Sequence, residues 1–342
     1  MKTRVTFWLS FLLSSSICLA ALSRLTPKHH YRVPDDIAAQ TPGPFLAVYQ
    51  DIGLDYYVFR FGLLGSGKAI READLICTSS SKGLYGYDPE ILSAALSTPD
   101  RPVRVFNLSF GFGEGLGYPT EVIKTLDLHD KVLLADLTDN TCQWHFTGMA
   151  QQALQAQNAF DAYKVLCERW LTFGRAQFLA PLLPRIAFRP ASGFVAESTM
   201  TGGIAFRSSQ HGGFSHAFRK EVYYPEAGKY PFEFDRDGQI HAKFLDECAR
   251  RNIQIVFTSI PYRGYDPEWG KRVAAELGYR HATVDPSDIE LIDDAHMSTN
   301  GRRLFSTRLG RRLQETGDFE AALDSVRKIA PIAAGTTGTQ LR

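Results

Sequence analysis

The sequence has almost no excess of charge of either sign. Its 38 Lys and Arg residues are balanced by 37 Asp and Glu residues, which leaves a formal net charge of +1. A nucleic acid or an anionic membrane surface is held by a broad positive field, so we expect no nucleic-acid partner. With 44% apolar and 22% charged residues and no internal repeat, the composition also excludes disordered, collagen-like and coiled-coil proteins.

Cysteine is scarce, with five residues in 342. Apart from Cys18 near the amino terminus, these are Cys77, Cys142, Cys167 and Cys248, whose wide spacing forms neither a CxxC metal pair nor a dense disulfide framework. At most two bridges are allowed. The alternative that the pattern favours is free, buried cysteine, because Cys77 falls in an apolar strand and Cys248 in a helix.

The amino terminus has the pattern of an export signal. Residues 1–4 carry two cations, and the eighteen residues 5–22 contain no charge. Residues 1–23 are predicted to be a signal peptide or a signal anchor, and the small residues before Ala21 allow cleavage after Ala20. The alternative is an uncleaved signal anchor, since eighteen helical residues span ~27 Å. Either way we expect an exported protein whose body lies outside the cytoplasm, in the periplasm or held at the membrane through residues 5–22.

Short apolar strands alternate with helices along the body of the chain, residues 24–330. Strands are predicted at residues 74–78, 103–108, 131–137, 253–260 and 281–284. Helices are predicted at residues 88–96, 118–128, 239–251, from 266 onward and at 299–316. Continuous apolar strands separated by helices are typical of a parallel sheet covered on both faces, so we predict a doubly wound α/β fold.

The alternation is interrupted by an insertion at about residues 141–237. A helical piece at 149–170 is followed there by a stretch rich in Pro, Gly and aromatic residues. Long loops on α/β scaffolds often form lids or substrate walls, although a purely structural excursion explains the pattern equally well. Residues 331–342 have the composition of a disordered tail.

Hydroxyl side chains cluster where the first predicted strand ends. Ser79, Ser80 and Ser81 lie at the carboxyl end of this strand, where open α/β sheets bind their ligands. Asp293 and His296 lie in the loop after the last predicted strand, which ends at the same edge. A serine becomes a nucleophile when a neutral imidazole takes its proton and a carboxylate fixes the imidazole tautomer. The spacing DxxH alone is a weak signal, but its place in the fold favours a Ser-His-Asp site.

These blocks resemble those of the SGNH (GDSL-type) hydrolase family, especially its exported, membrane-anchored members that act on cell-envelope polysaccharides. Residues 73–82, ADLICTSSSK, resemble the first block and place the family nucleophile at Ser81, with Ser80 as the alternative. Asp293 and His296 resemble the last block, in which Asp orients the His base. The resemblance implies a flavodoxin-like doubly wound parallel sheet.

The same resemblance implies an oxyanion hole built from three blocks. Residues 107–115, NLSFGFGEG, resemble the second block, whose glycine amide stabilises the oxyanion. Gly113 is the first choice for this amide and Gly111 the second. The Ser81 amide and an asparagine side chain of the third block, here Asn140, complete the predicted hole.

Two positions depart from the family pattern. Ser79 replaces the usual glycine of the first block, and Asn140 fits the third block only loosely. Loss of one oxyanion donor typically lowers turnover by ~10²–10³. Slow or absent activity is therefore compatible with the sequence.

The resemblance implies an extracytoplasmic serine esterase or O-acyltransferase without a metal or cofactor. Its partner would be an acylated carbohydrate or lipid ester of the cell envelope, with acetyl as the expected acyl group. Ser81 would attack the ester, His296 would act as base and then acid, and Asp293 would orient it. The alternative is a catalytically degenerate member of the fold that binds a glycan or a partner in the envelope.

Three other patterns point elsewhere. Residues 62–68 match the phosphate-binding pattern GxxxxGK, but Ala69 stands where a hydroxyl would hold magnesium. His211 and His216 could share a metal ion, although no carboxylate or cysteine accompanies them. Stacking on sugar rings or packing of the insertion would each explain a group of aromatic residues at Tyr223, Tyr224, Tyr230, Phe232 and Phe234.

Overall fold

A computed structural model of the protein describes residues 45–48, 53–111, 114–138, 141, 144–168, 195–206, 216–217, 234–235, 238–262 and 266–333. The predicted export signal and much of the predicted insertion lie outside these residues. Within the described part, no helix has the length and apolar composition needed to cross a membrane.

The strands, in chain order, are β1 (Phe45–Val48), β2 (Leu75–Thr78), β3 (Val105–Asn107), β4 (Val132–Asp136), β5 (Val195–Ser198), β6 (Ile204–Phe206), β7 (His216–Ala217), β8 (Gln254–Thr258), β9 (Arg280–Ala282) and β10 (Glu290–Leu291). The helices are α1 (Leu54–Phe61), α2 (Ser66–Glu72), α3 (Ser81–Gly86), α4 (Pro89–Leu96), α5 (Gly117–Thr125), α6 (Gly148–Gln155), α7 (Asp246–Arg250, preceded by a π-helical turn at His241–Leu245), α8 (Pro267–Glu276), α9 (Thr299–Glu315) and α10 (Asp318–Ala333). Residues 159–168 are also helical.

A five-stranded parallel sheet forms the centre of the molecule, with the strand order β3-β2-β4-β8-β9. Numbered by their sequence along the chain, these strands lie in the order 2-1-3-4-5, which is that of flavodoxin-like doubly wound sheets. The predicted doubly wound α/β architecture is therefore confirmed. The order reverses between β2 and β4, and ligands of such folds bind at the carboxyl ends of the strands beside this point.

The two faces of the sheet bury separate hydrophobic cores. Successive strand side chains point to opposite faces, so Ile76 enters one core while Leu75 and Cys77 enter the other. The first core is covered by α1, α5 and α7, and the second by α4, α9 and α10. Burial on both faces explains why β2 and β4 consist of almost uninterrupted apolar residues.

Two helices begin with an aspartate cap followed by proline. The Asp88 side chain accepts a hydrogen bond from the Ile91 amide at 3.2 Å, and proline occupies the first turn of α4. Asp266 caps α8 in the same way, by accepting from the amides of Glu268 and Trp269. A carboxylate at this position satisfies amides that have no partner within the helix.

Some segments differ from the sequence prediction. Helix α10 was not predicted, and it continues to Ala333, so the first three residues of the predicted tail are helical. Residues 334–342 lie outside the described part. In the predicted insertion, β5 pairs antiparallel with both β1 and β6, and the three strands form a separate sheet.

The phosphate-loop pattern at residues 62–68 lacks the structural context that phosphate binding requires. A phosphate loop joins a strand to a helix, whereas this segment follows helix α1 and leads into α2. Gly62, at φ 64°, ends α1, and Gly65 precedes α2. The exposed Lys68 lies 3.7 Å from Glu72. The segment is a helix-to-helix turn.

The hairpin between β5 and β6 packs directly against the end of β3. The Asn107 amide donates to the Thr201 carbonyl at 2.7 Å. Gly202 has φ +65°, and a Cβ at this position would lie 1.8 Å from the Asn107 carbonyl oxygen. Both the backbone conformation and the close approach therefore require glycine here.

We predict that Gly202→Ala destabilises the protein more than Gly278→Ala. Gly278 also has a positive φ, +76°, but has no atom within 4 Å of a built Cβ. It therefore reports the backbone cost alone, ~1–2 kcal/mol. Overlap with Asn107 should add about 2 kcal/mol at Gly202. Urea unfolding of both variants measures the difference, and equal losses would contradict the packing of the hairpin on β3.

Candidate active site

The structure brings together the three residues that the sequence singled out as a catalytic set. Ser81 is the first residue of α3, directly after the loop that leaves β2, and His296 lies in the loop between β10 and α9. The His296 Nε2 atom is 2.9 Å from Ser81 Oγ, although the residues are 215 positions apart. His296 Nδ1 is 2.7 Å from Asp293 Oδ2. Hydroxyl, imidazole and carboxylate thus form one hydrogen-bonded chain.

Proton positions in this chain follow from the ionisation of Asp293. Burial opposes its negative charge, but the hydrogen bond to His296, the imidazole charge and the amides of Ala295 and His296 outweigh burial and lower the pKa of Asp293 to about 2. The ionised carboxylate accepts only, so Nδ1 of His296 carries a proton. In the neutral imidazole with its proton on Nδ1, Nε2 carries a lone pair that can accept from the Ser81 hydroxyl, the arrangement that general-base activation requires.

The loop that carries Asp293 and His296 is closed on itself. Asp293 Oδ1 accepts from the amides of Ala295 and His296, both at 2.7 Å, and the Ile292 amide donates to the His296 carbonyl at 2.8 Å. At the base of the loop, a Cβ on Gly301 would lie 2.0 Å from the Glu290 carbonyl oxygen. The imidazole is thus fixed through its own main chain as well as through its ring.

The three serines after β2 have different environments. Ser79 is buried and donates to Asp136 Oδ2 at 2.8 Å. Ser80 is buried and caps α3, accepting from the Lys82 amide at 3.4 Å. Ser81 alone of the three is partly exposed, and its hydroxyl contacts His296. Ser80, the alternative nucleophile, is therefore engaged as a helix cap.

Tyr85 contacts the histidine and was not anticipated from the sequence. Its ring centroid lies 4.8 Å from that of His296, at an interplanar angle of 53°. Tyr85 stands one helical turn after Ser81, so α3 supplies both the hydroxyl and an aromatic wall for the imidazole. Burial, reinforced by the charge of Asp293, raises the pKa of the Tyr85 phenol, so it stays neutral. The spacing of four residues would have indicated Tyr85 had α3 been predicted.

Of the predicted oxyanion donors, Gly113 and Asn140 lie outside the described residues. The Ser81 amide is at the first position of α3, where helix amides have no intrahelical acceptor, and it has no acceptor in the described part of the chain. Gly111, the second choice, has no atom within 4 Å of a built Cβ, and its carbonyl accepts from the Tyr56 hydroxyl at 3.1 Å.

A second serine–histidine contact occurs after β8. In this contact the imidazole is the donor and the serine hydroxyl is the acceptor. The Ser259 hydroxyl donates to the Leu137 carbonyl at 3.0 Å, so at 2.9 Å it accepts from His281 Nε2. His281 Nδ1 then accepts from Thr283 at 2.9 Å. This imidazole donates to its serine and has no carboxylate among these partners. Burial and the nearby Lys271 lower the pKa of His281 to about 4, so it is neutral at pH 7.

The other candidate ligands do not form a site within the described residues. His211 lies outside them, and His216 is described only as part of the backbone pairing of β7 with β10. No group of three or more His, Cys, Asp and Glu side chains in the described part is arranged to hold a metal ion.

The cysteine prediction is tested at three positions. Cys77, Cys167 and Cys248 are free thiols, and Cys77 and Cys248 are buried, as predicted. Cys142 lies outside the described residues. Of the aromatic residues of the insertion, Phe234 packs against the first core, while Tyr223, Tyr224, Tyr230 and Phe232 lie outside the described part.

Comparison of the chain with family models, with curated proteins and with solved structures finds no match in any of the three.

We predict that His281 makes folding sensitive to mild acid. Its native pKa lies below the ~6.5 of an unfolded histidine, so its contribution to stability is complete above pH ~6.5 and is lost as the pH falls towards 4. The loss amounts to at most about 3 kcal/mol.

Urea unfolding of the unaltered protein and of His281→Gln between pH 7 and 4 checks this prediction. Subtracting the two curves removes the contribution of every other titrating group. A difference that stays constant with pH would contradict a neutral, buried His281.

Proposed function

We propose that the protein is a serine esterase or O-acyltransferase that acts on acyl esters. The single observation that carries the proposal is the hydrogen-bonded chain from Ser81 Oγ through His296 to Asp293. Its position beside the reversal of strand order, at the carboxyl edge of the sheet, is where doubly wound folds bind their ligands.

The geometry supports a two-step acyl transfer. Ser81 Oγ attacks the ester carbonyl carbon while His296 Nε2 takes the hydroxyl proton, and Asp293 stabilises the imidazolium that forms. The tetrahedral oxyanion would be met by the Ser81 amide together with the other predicted donors. As the intermediate collapses, His296 returns the proton to the departing alcohol oxygen, which leaves an acyl group on Ser81.

The second step determines the reaction class. His296 takes a proton from an acceptor hydroxyl, whose oxygen attacks the acyl carbonyl carbon. The bond between the acyl group and Ser81 Oγ then breaks, and His296 returns the proton to Ser81 Oγ. Water as acceptor makes the protein an esterase, and a sugar hydroxyl makes it an O-acyltransferase. Two parts of the proposal derive from the sequence motifs. One is the substrate, an acetylated envelope glycan or lipid, and the other is the export of the protein.

We predict that a fluorophosphonate probe labels the protein at Ser81. Ser81→Ala should abolish both labelling and the hydrolysis of an aryl acetate, because it removes the attacking oxygen. Ser80→Ala is the matched control: it removes a buried helix cap, worth about 1 kcal/mol, but leaves the nucleophile in place.

Labelling that persists in Ser81→Ala and disappears in Ser80→Ala would move the nucleophile to Ser80. An unlabelled, inactive wild-type protein would overturn the proposal. Affinity for an envelope glycan, retained in that inactive protein and in Ser81→Ala, would then favour the alternative of a degenerate binding protein.

We predict a milder loss at Asp293 than at Ser81. The Asp293 side chain is 51% exposed, so water can partly replace the carboxylate that Nδ1 of His296 contacts. Asp293→Ala should lower kcat by ~10²-fold, less than the ~10⁴-fold loss caused by altering a buried triad carboxylate. Steady-state kinetics on an aryl acetate measures the effect, and an unchanged kcat would remove Asp293 from the mechanism.

A further inference from the structure

The residue two positions before the nucleophile is anchored to the neighbouring strand. Ser79 is 1% exposed, and its hydroxyl donates to Asp136 Oδ2 at 2.8 Å. Asp136 is the last residue of β4, which lies beside β2 in the sheet. Ser79 stands where the family that the sequence resembles has glycine. Its side chain therefore makes a contact that glycine could not make.

Asp136 connects the ends of several strands. Besides the bond from Ser79, its Oδ2 accepts from Thr138 Oγ1 at 2.9 Å, and its Oδ1 accepts from the Ile260 amide at 3.0 Å. Ile260 lies just after β8. One fully buried carboxylate thus joins the carboxyl ends of β2, β4 and β8, directly beneath the turn that carries Ser81.

The residue directly after the nucleophile is a buried lysine. Lys82 is 3% exposed, and its ammonium lies 3.4 Å from the centroid of the Tyr262 ring. Burial raises the pKa of Asp136 to about 6, while the positive charge of Lys82 and the three hydrogen bonds counteract burial. Lys82 therefore supplies a positive charge that favours the ionised form of Asp136, in which both carboxylate oxygens only accept hydrogen bonds.

The turn between these anchors is tightly packed. A Cβ on Gly83 would lie 2.3 Å from the Ser79 Cβ and 2.6 Å from Ser109 Oγ. Ser79 and the first turn of α3 are in contact through this glycine, so a displacement of Ser79 is transmitted to Ser81. Cores packed at this density move between discrete arrangements instead of deforming smoothly.

We propose that Ser79, Asp136 and Lys82 form a brace that positions the Ser81 hydroxyl on His296. These three are positioning residues, since the contacts described place them around the nucleophile turn and not on the reacting atoms. The inference rests on the proposed acyl transfer and extends it, because it assigns a role to the residue that departs from the family pattern. A displacement of ~1 Å in a reacting group can cost ~10²-fold in rate.

The decisive experiment compares Ser79→Ala with Ser259→Ala. Each variant removes one buried hydroxyl, 1% exposed, that donates to an acceptor at the end of β4 or just beyond it, namely Asp136 Oδ2 or the Leu137 carbonyl. Both should lose similar thermal stability. Only Ser79→Ala should lower kcat and the fluorophosphonate labelling rate, by ~10- to 100-fold with KM unchanged.

A pH profile tests the contribution of Lys82. Among the described residues, two titratable groups interact electrostatically with Asp136, namely Lys82 and Tyr87. Burial raises the pKa of Tyr87, so the phenol stays neutral and the charge that acts on Asp136 is that of Lys82. Lys82→Met removes the charge that favours ionised Asp136, so the acid limb of kcat should move to higher pH. In the double variant Lys82→Met with Asp136→Asn, this displacement should disappear.

The outcomes separate the brace from the proposed function. Equal kcat and labelling rates in Ser79→Ala and Ser259→Ala, with a labelled wild-type protein, would overturn the brace alone. An acid limb that does not move in Lys82→Met would also overturn it. If the wild-type protein is neither labelled nor active, the proposed function and the brace both fail. If Ser79→Ala does not fold, Asp136→Asn provides the same comparison.

Discussion

The hydrogen bond between Ser81 and His296 is the contact on which the functional argument depends. It joins residues 215 positions apart, so local secondary structure alone cannot bring them into contact. The parallel sheet makes the contact because the loops after its strands emerge at one edge. Each strand that aligns this edge therefore contributes indirectly to the contact between Ser81 and His296.

The two serine–histidine contacts at this edge differ in the direction of their hydrogen bonds. His296 accepts from its serine because the ionised Asp293 fixes the proton on the other ring nitrogen, whereas His281 donates to Ser259, whose own proton is used by a carbonyl. The two pairs have the same separation, 2.9 Å, and differ in what holds the far side of the imidazole. A carboxylate at that side distinguishes a base from a structural histidine.

The sequence predicted the central sheet and the three residues of the hydrogen-bonded chain. Uninterrupted apolar runs mark strands such as β2 and β4, and proline after aspartate marks α4. Helices α1, α2, α3 and α10 were not predicted, and only the last three residues of α10 fall in the segment whose composition resembles a tail. The contacts of Ser79 and Tyr85 could not be predicted, because they depend on strand register and on the phase of α3, which arise only when distant segments pack together.

His296 and Asp293 occupy one short closed loop, residues 291–298, which contributes no strand to the five-stranded sheet. Deletion of residues 293–296 would remove both side chains and spare Leu291 and Met297, which belong to the second core. In evolutionary terms, a descendant of this protein could lose both side chains through a single event and persist as a folded scaffold. A deletion in the turn after β2, which Asp136 joins to the ends of β4 and β8, would instead disturb the central sheet.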